Sequence, residues 1–157
     1  MQGNPRIRRA EIGDLASLIR LGALYCEADD AEWIPERAKS AFEPLLADDR
    51  HGTVLVVEVE TSVAGYAVLT WGWSIEAGGR EALLDEMYIE HPGGGLGSAL
   101  IEAVMAAAKA AGAARVFLET EAANESARGF WLKRGFDVED SVWLQRGCDV
   151  RTPGAPV

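Results

Sequence analysis

The stretch from Pro92 to Leu100, PGGGLGSAL, restricts the fold of this chain more than any other. It stands between a β-rich run, Ala82 to Ile89, and an apolar-periodic run that reaches about Ala111, so it reads as a strand-to-helix turn. A helix N-terminus leaves several backbone N–H groups unbonded, and the aligned peptide dipoles add partial positive charge there. Glycines let the backbone approach an anion closely and allow the positive φ angles that aim successive N–H groups at one point. The turn is therefore a candidate phosphate cradle. The same composition also suits a plain flexible turn, so its neighbours decide between the two.

A chain of 157 residues is long enough for one well-buried core and short for two. Residues 1–150 are expected to form one domain and residues 151–157 a disordered tail. Apolar residues at 48% and charged residues at 25% give the balance of a soluble globular protein. No apolar run approaches the roughly 18 residues of a membrane span, and Met1 to Arg9 carries no hydrophobic signal segment, so a cytoplasmic protein is expected. Fifteen Lys and Arg against 25 Asp and Glu leave a net charge of −10, which opposes binding to nucleic acid or to an anionic membrane. Partners are expected to be neutral or cationic, unless backbone N–H groups hold an anion locally. Cys26 and Cys148 form no CxxC pair and His51 and His91 lack metal-ligand spacing, so neither a disulfide framework nor a metal site is expected. A homodimer is allowed.

Ile7 to Ala10 reads as a short strand, followed by Asp14 as the cap of a helix whose stripe is Leu15, Leu18, Ile19, Gly22 and Cys26. Pro35 opens a second helix that ends near Ala47. Thr53 to Glu60 and Val63 to Trp71 form a hairpin, and Ala77 to Gly79 turn the chain into the strand at Ala82, which makes an antiparallel meander. Leu100, Ile101, Val104, Met105 and Ala108 give the third helix one apolar stripe, with Gly112 at its C-cap. Arg115 to Thr120 reads as a strand parallel to the preceding one, Asn124 begins a last helix that Gly135 ends, and Phe136–Val138 and Val142–Arg146 read as two closing strands.

From Ile7 to Arg146 this order resembles the GNAT superfamily of acyl-CoA-dependent N-acetyltransferases. Three segments carry the resemblance: LDEMYIEHP with GGGLGSAL after it, LETEAAN, and NESARGFWLKRGF. In the last, Asn124, Ala127, the aromatic Trp131, Gly135 and Phe136 match the family's spacing. The resemblance implies a mixed α/β sheet, an antiparallel meander joined to a splayed parallel strand pair and flanked by helices. It also implies acetyl-CoA as cosubstrate, with its pyrophosphate on the glycine turn and its pantetheine arm between Leu83–Ile89 and Val116–Thr120. Cofactor contacts are then expected from Met87, Ile89, Gly93, Gly94, Gly95, Leu96, Gly97, Ser98, Asn124 and Trp131. Pro92 and Gly94 stand where the family usually has an Arg or Gln and a basic residue. Phosphate binding is accordingly expected to rest on backbone N–H groups, without a charged side chain in the turn.

Trp131 stands where many members place a tyrosine that protonates the departing thiolate, and an indole is no practical proton donor; Tyr88 is the candidate substitute. The attacking amine must lose a proton, and Glu86, then Glu119 and Glu121, are the candidate bases. Asp29, Asp30, Glu32, Trp33, Trp71, Trp73 and Glu76 are candidates for an acceptor cleft, because tryptophan faces beside carboxylates suit an amine cation. The implied function is transfer of an acetyl group to a primary amine of a small molecule by direct attack in a ternary complex. A peptide or protein N-acetyltransferase and a non-catalytic acyl-CoA-binding domain are the alternatives. A dinucleotide site fits less well, since Ser98 occupies the last glycine position of its fingerprint.

Overall fold

A central sheet takes five strands in the order in which the chain makes them, from β1 (Arg6–Arg9) through β2 (Gly52–Val59), β3 (Ser62–Ser74) and β4 (Gly79–Ile89) to β5 (Val116–Phe117). The computed structural model describes residues 5–148, 150, 151 and 153, so the expected tail falls largely outside the described residues. β1 to β4 pair antiparallel, and β5 joins β4 in parallel. Helices α1 (Leu15–Ala28) and α2 (Pro35–Ala47) cover one face, where Leu18, Leu21, Phe42, Leu46, Val54, Val56 and Tyr66 form a core. Helix α3 (Leu96–Ala110) covers the other with Leu100 and Val104 against Leu55, Val57, Ala67 and Leu69. Alternation along β2 explains the division: Val54 and Val56 turn to one side, Leu55 and Val57 to the other. Burial on both faces makes this strand read as a continuous apolar run.

The meander, the glycine turn and the helix boundaries stand close to where the residues place them. Gly112, at φ 78°, follows α3 in the left-handed conformation expected of its C-cap. Asp14 differs. Its carboxylate accepts from Arg8 Nη1 at 2.7 Å and Nη2 at 2.9 Å and from the Glu11 N–H at 2.8 Å, so it makes no cap bond to α1. The two-pronged bond to a half-buried guanidinium outcompetes a single cap bond.

The two closing strands do not form. Among the described residues no strand follows β5, and Val142 and Leu144 are exposed, the latter at 91%. Trp143 stacks on Phe117 with ring centroids 6.0 Å apart. Strand propensity in VWLQR does not by itself produce pairing, since propensity expresses fit to neighbouring strands rather than a backbone preference.

Candidate active site

β5 meets β4 only at Ala82–Val116 and Leu83–Phe117. Beyond Leu83 the two strands part, and Asp85 to Ile89 have no partner on that edge among the described residues. The N–H of Glu90 donates to Ala64 on β3 at 2.9 Å. Alternation then turns the N–H groups of Tyr88 and Glu86 to β3 and those of Met87 and Ile89 to the open edge.

A bulge decides what the side chains on this edge face. Leu84 pairs with Leu69 and Glu86 with Val68, so Asp85 is an extra residue in the ladder. Ala82, Leu84, Met87 and Ile89 all pack on the α3 face, which breaks the twofold alternation at Asp85–Glu86 and turns Glu86 to the α1 face. Bulges commonly re-aim a side chain beside a functional site. There the Tyr66 hydroxyl donates to Glu86 Oε2 at 2.8 Å. Burial pushes the Glu86 carboxyl above its usual range, the Tyr66 hydrogen bond opposes this, and the Asp85 charge adds to the rise. Tyr66 is fully buried, and burial together with Glu86 holds its phenol so high that it remains the donor.

Helix α1 completes this cluster. Burial, then the Asp29 and Glu86 charges, push the Tyr25 phenol up to about 12. Burial and the same carboxylates raise the Cys26 thiol. Tyr88 meets Tyr25 edge to face, with centroids 6.4 Å apart. Two carboxylates, three phenols and a protonated thiol thus gather at the side of the open strand edge, an environment of negative potential walled by aromatic rings.

On the α3 face a cleft of about 420 Å³ opens under the glycine turn. Of the expected cofactor contacts, Met87, Ile89, Gly93, Gly95, Leu96, Gly97, Ser98 and Trp131 line it. Gly93, Gly94 and Gly95 have φ of 146°, 57° and 79°, values an L side chain rarely adopts, and a Cβ on any of them would meet nothing within 4 Å. The space beside them is open to a ligand. The N–H groups of Gly94, Gly95, Gly97 and Ser98 have no acceptor among the described residues, whereas that of Leu96 is spent on the Gly93 carbonyl at 3.1 Å. Gly97 has a different reason to be glycine: a Cβ there would lie 3.3 Å from Phe130 Cζ, so it brings α3 close to α4 (Glu125–Leu132). Trp131 packs between Phe130 and Phe136, at 5.1 and 5.4 Å, while still lining the cleft. These features fit an anionic cofactor with an extended arm: unpaired N–H groups at the helix start, and an unpaired strand edge running away from it.

Several expected residues lie elsewhere. Gly94 is at the tip of the turn and does not line the cleft. Asn124 caps α4, its Oδ1 accepting from the Ala127 N–H at 3.0 Å, and is also outside the lining. Glu119 and Glu121 are exposed beyond β5. Trp71 packs on the α3 face, donates its indole N–H to the Asp49 carbonyl at 2.8 Å and lies under Arg80. Trp73, 75% exposed, and Glu76 sit at the far end of the β3–β4 hairpin. Trp73 stands five positions along β3 from Val68, the partner of Glu86, which is about 17 Å along a strand. Asp30 is exposed with φ 52°, and Trp33 lies over Gly22 of α1. Of the acceptor candidates only Asp29 influences the Glu86 cluster.

Three residues that the sequence reading did not single out belong to these sites. Tyr25 carries a local signal, since it stands four residues before Asp29 on one helix face. Tyr66 carries none, because only the β3–β4 register brings it to Glu86. Arg134, in the turn after α4, reaches back to the first turn of α3 and donates through Nη2 to Ser98 Oγ at 2.8 Å. The turn itself carries no charged side chain, as its residues require; the guanidinium nearest to it, that of Arg134, approaches from across the cleft.

No helix among the described residues is long and apolar enough to cross a membrane. No curated protein matches this chain. Among solved structures, it is similar to an integron cassette protein from the mobile metagenome of Cole Harbour Salt Marsh, with 26% identity over 93% of this chain and 92% of that one and a TM-score of 0.81. It shares the fold of a possible acetyltransferase from Clostridium difficile 630 (20% identity, 91% and 97% covered, TM-score 0.81). The same holds for an aminoglycoside acetyltransferase from an uncultured soil metagenomic sample, solved with sisomicin (19% identity, 91% and 95% covered, TM-score 0.74). The model of the acetyltransferase (GNAT) family matches residues 18–136, a span that takes in most of α1, the meander, the glycine turn and the Trp131–Phe136 segment. With the parted β4–β5 edge and the glycine-led α3 in place, this chain belongs to the acetyltransferase (GNAT) family.

Proposed function

We propose that this protein is an N-acetyltransferase that binds acetyl-CoA and a small primary amine together and transfers the acetyl group by direct attack. The observation that carries this reading is Glu86, a carboxylate with raised proton affinity held by Tyr66 on the same strand segment whose edge is unpaired. Acetyl-CoA would supply the activated acyl group. The N–H groups of Gly95, Gly97 and Ser98 would hold its phosphates, and the Met87–Ile89 edge its pantetheine amides. Glu86 takes up the proton that the acceptor ammonium must lose, and a raised pKa brings it nearer the operating pH, where a base is most effective. Asp29 and the Tyr25 and Tyr88 rings attract and orient the cation. Trp131 acts as the wall of the cleft, so the departing thiolate leaves without a proton from this position; a thiol of pKa about 8.5 is a tolerable leaving group.

Thermal unfolding with acetyl-CoA, followed by thiol release with a panel of small amines, tests the reading. Stabilisation together with turnover on at least one small amine is expected. Stabilisation without turnover on amines or peptide N-termini would instead make it an acyl-CoA-binding module.

A further inference from the structure

We infer that Arg134 is the side-chain cation that holds the pyrophosphate of the cofactor, taking the place of a basic residue in the glycine turn. Of the residues lining the cleft under that turn, Arg134 is the one with a charged side chain. Its guanidinium carbon lies 3.5 Å from the centre of the Phe130 ring, and Nη1 donates to the Phe130 carbonyl at 2.8 Å, so the group is fixed before any ligand arrives. Nη2 donates to Ser98 Oγ, and Ser98 is one of the residues with a free N–H at the start of α3. Nε is buried and has no partner among the described residues. Nε and Nη2 form one edge of the guanidinium, the edge suited to two parallel bonds to a phosphate. Ser98 Oγ, a neutral hydroxyl, occupies half of that edge, and the other half is unsatisfied.

Arg134 forms no salt bridge among the described residues, although acidic residues outnumber basic ones by ten across the chain. A structural arginine in so acidic a protein would readily find a carboxylate. This one instead faces a helix N-terminus, which is itself positive, and two positive groups held together are stabilised by an anion between them. A second depression along α4, lined by Ser126, Lys133 and Arg134 but also by the carboxylate of Glu125, shares this residue. The cofactor's separate 3′-phosphate is therefore the competing ligand.

The inference rests on the acetyl-CoA reading, and calorimetric titration of wild type, Arg134→Gln and Arg134→Lys with CoA, dephospho-CoA and pantetheine separates the two. Arg134→Gln is expected to weaken CoA and dephospho-CoA alike, by about tenfold or more as for loss of a charge-assisted bond, and to leave pantetheine unchanged. Arg134→Lys is expected to recover part of the loss. Equal weakening of all three ligands would make Arg134 merely structural, and weakening of CoA alone would assign it to the 3′-phosphate; either overturns the inference. Unchanged CoA binding in the Gln variant does so as well. Should that variant not fold, the Lys variant is compared with Ser98→Ala: an equal effect of both on CoA and pantetheine would sink the assignment. A wild-type protein that binds none of the three ligands overturns the cofactor reading and this inference with it.

Discussion

Glu86 is pulled in opposite directions by its surroundings, since burial and Asp85 raise its pKa while the Tyr66 hydroxyl lowers it. Tyr66→Phe removes the lowering influence, so the Glu86 pKa rises further and the acidic limb of the kcat/KM profile moves to higher pH. Glu86→Gln abolishes that limb and lowers kcat/KM by about a hundredfold or more, the range of a lost general base, with acetyl-CoA affinity unchanged. A pH profile of the three proteins with one amine checks both; an unmoved limb in Tyr66→Phe would detach Glu86 from catalysis. Stability follows the opposite pattern. A carboxyl whose folded pKa lies above its ordinary 4.5 stabilises most below that value, and the contribution is lost as pH rises through the folded pKa. Glu86→Gln is therefore expected to lose less stability than wild type as pH rises above 4.5.

At the scale of elements, two contacts set how elements meet. Gly97 lets α3 approach α4 at Phe130, and Gly97→Val places branched bulk where a Cβ alone would lie 3.3 Å from the ring. Overpacking of this kind costs about 1–3 kcal/mol, to be read in urea unfolding, and the displaced Phe130 carries Arg134 with it, so CoA binding weakens too. The other contact joins β1 to the turn before α1, where Arg8 bonds both Asp14 and Glu58. The Arg8 guanidinium holds the Asp14 carboxyl below its ordinary 3.8. Its stabilising contribution is full above that value and is lost as pH falls through the depressed one. Asp14→Asn is expected to cost about 1.5–3 kcal/mol at pH 7, as for a lost hydrogen bond to a charged group, and to flatten the acid end of the stability curve. Equal acid sensitivity in variant and wild type would remove Asp14 as its source.

Across the whole molecule one sheet serves two cores, with Leu18 buried on the α1 side and Leu100 on the α3 side. Leu18→Ala and Leu100→Ala are each expected to cost about 2–5 kcal/mol and to shift a single unfolding transition seen alike by circular dichroism and tryptophan fluorescence. Separate transitions would show that the two faces unfold independently. Local chemistry was enough for much of this architecture. Apolar periodicity placed the helices, Thr61 and Ser62 the hairpin, and the strand–glycine–helix order the turn that opens α3, because each depends on residues within a few positions of one another. The closing strands failed for the complementary reason, since VWLQR has the propensity but pairing depends on a partner strand distant in the chain. Of the candidate site, the residues along β4 and its turn were legible, since Glu86, Met87, Ile89 and the glycines lie close together in the chain, and Asp29 and Trp131 were named with them. Tyr66 is 20 residues from Glu86 and Arg134 is 36 from Ser98. Such pairs are joined by sheet register, a one-residue bulge and the close approach of two helices, and no spacing in a linear chain encodes which distant side chains those will bring within 3 Å.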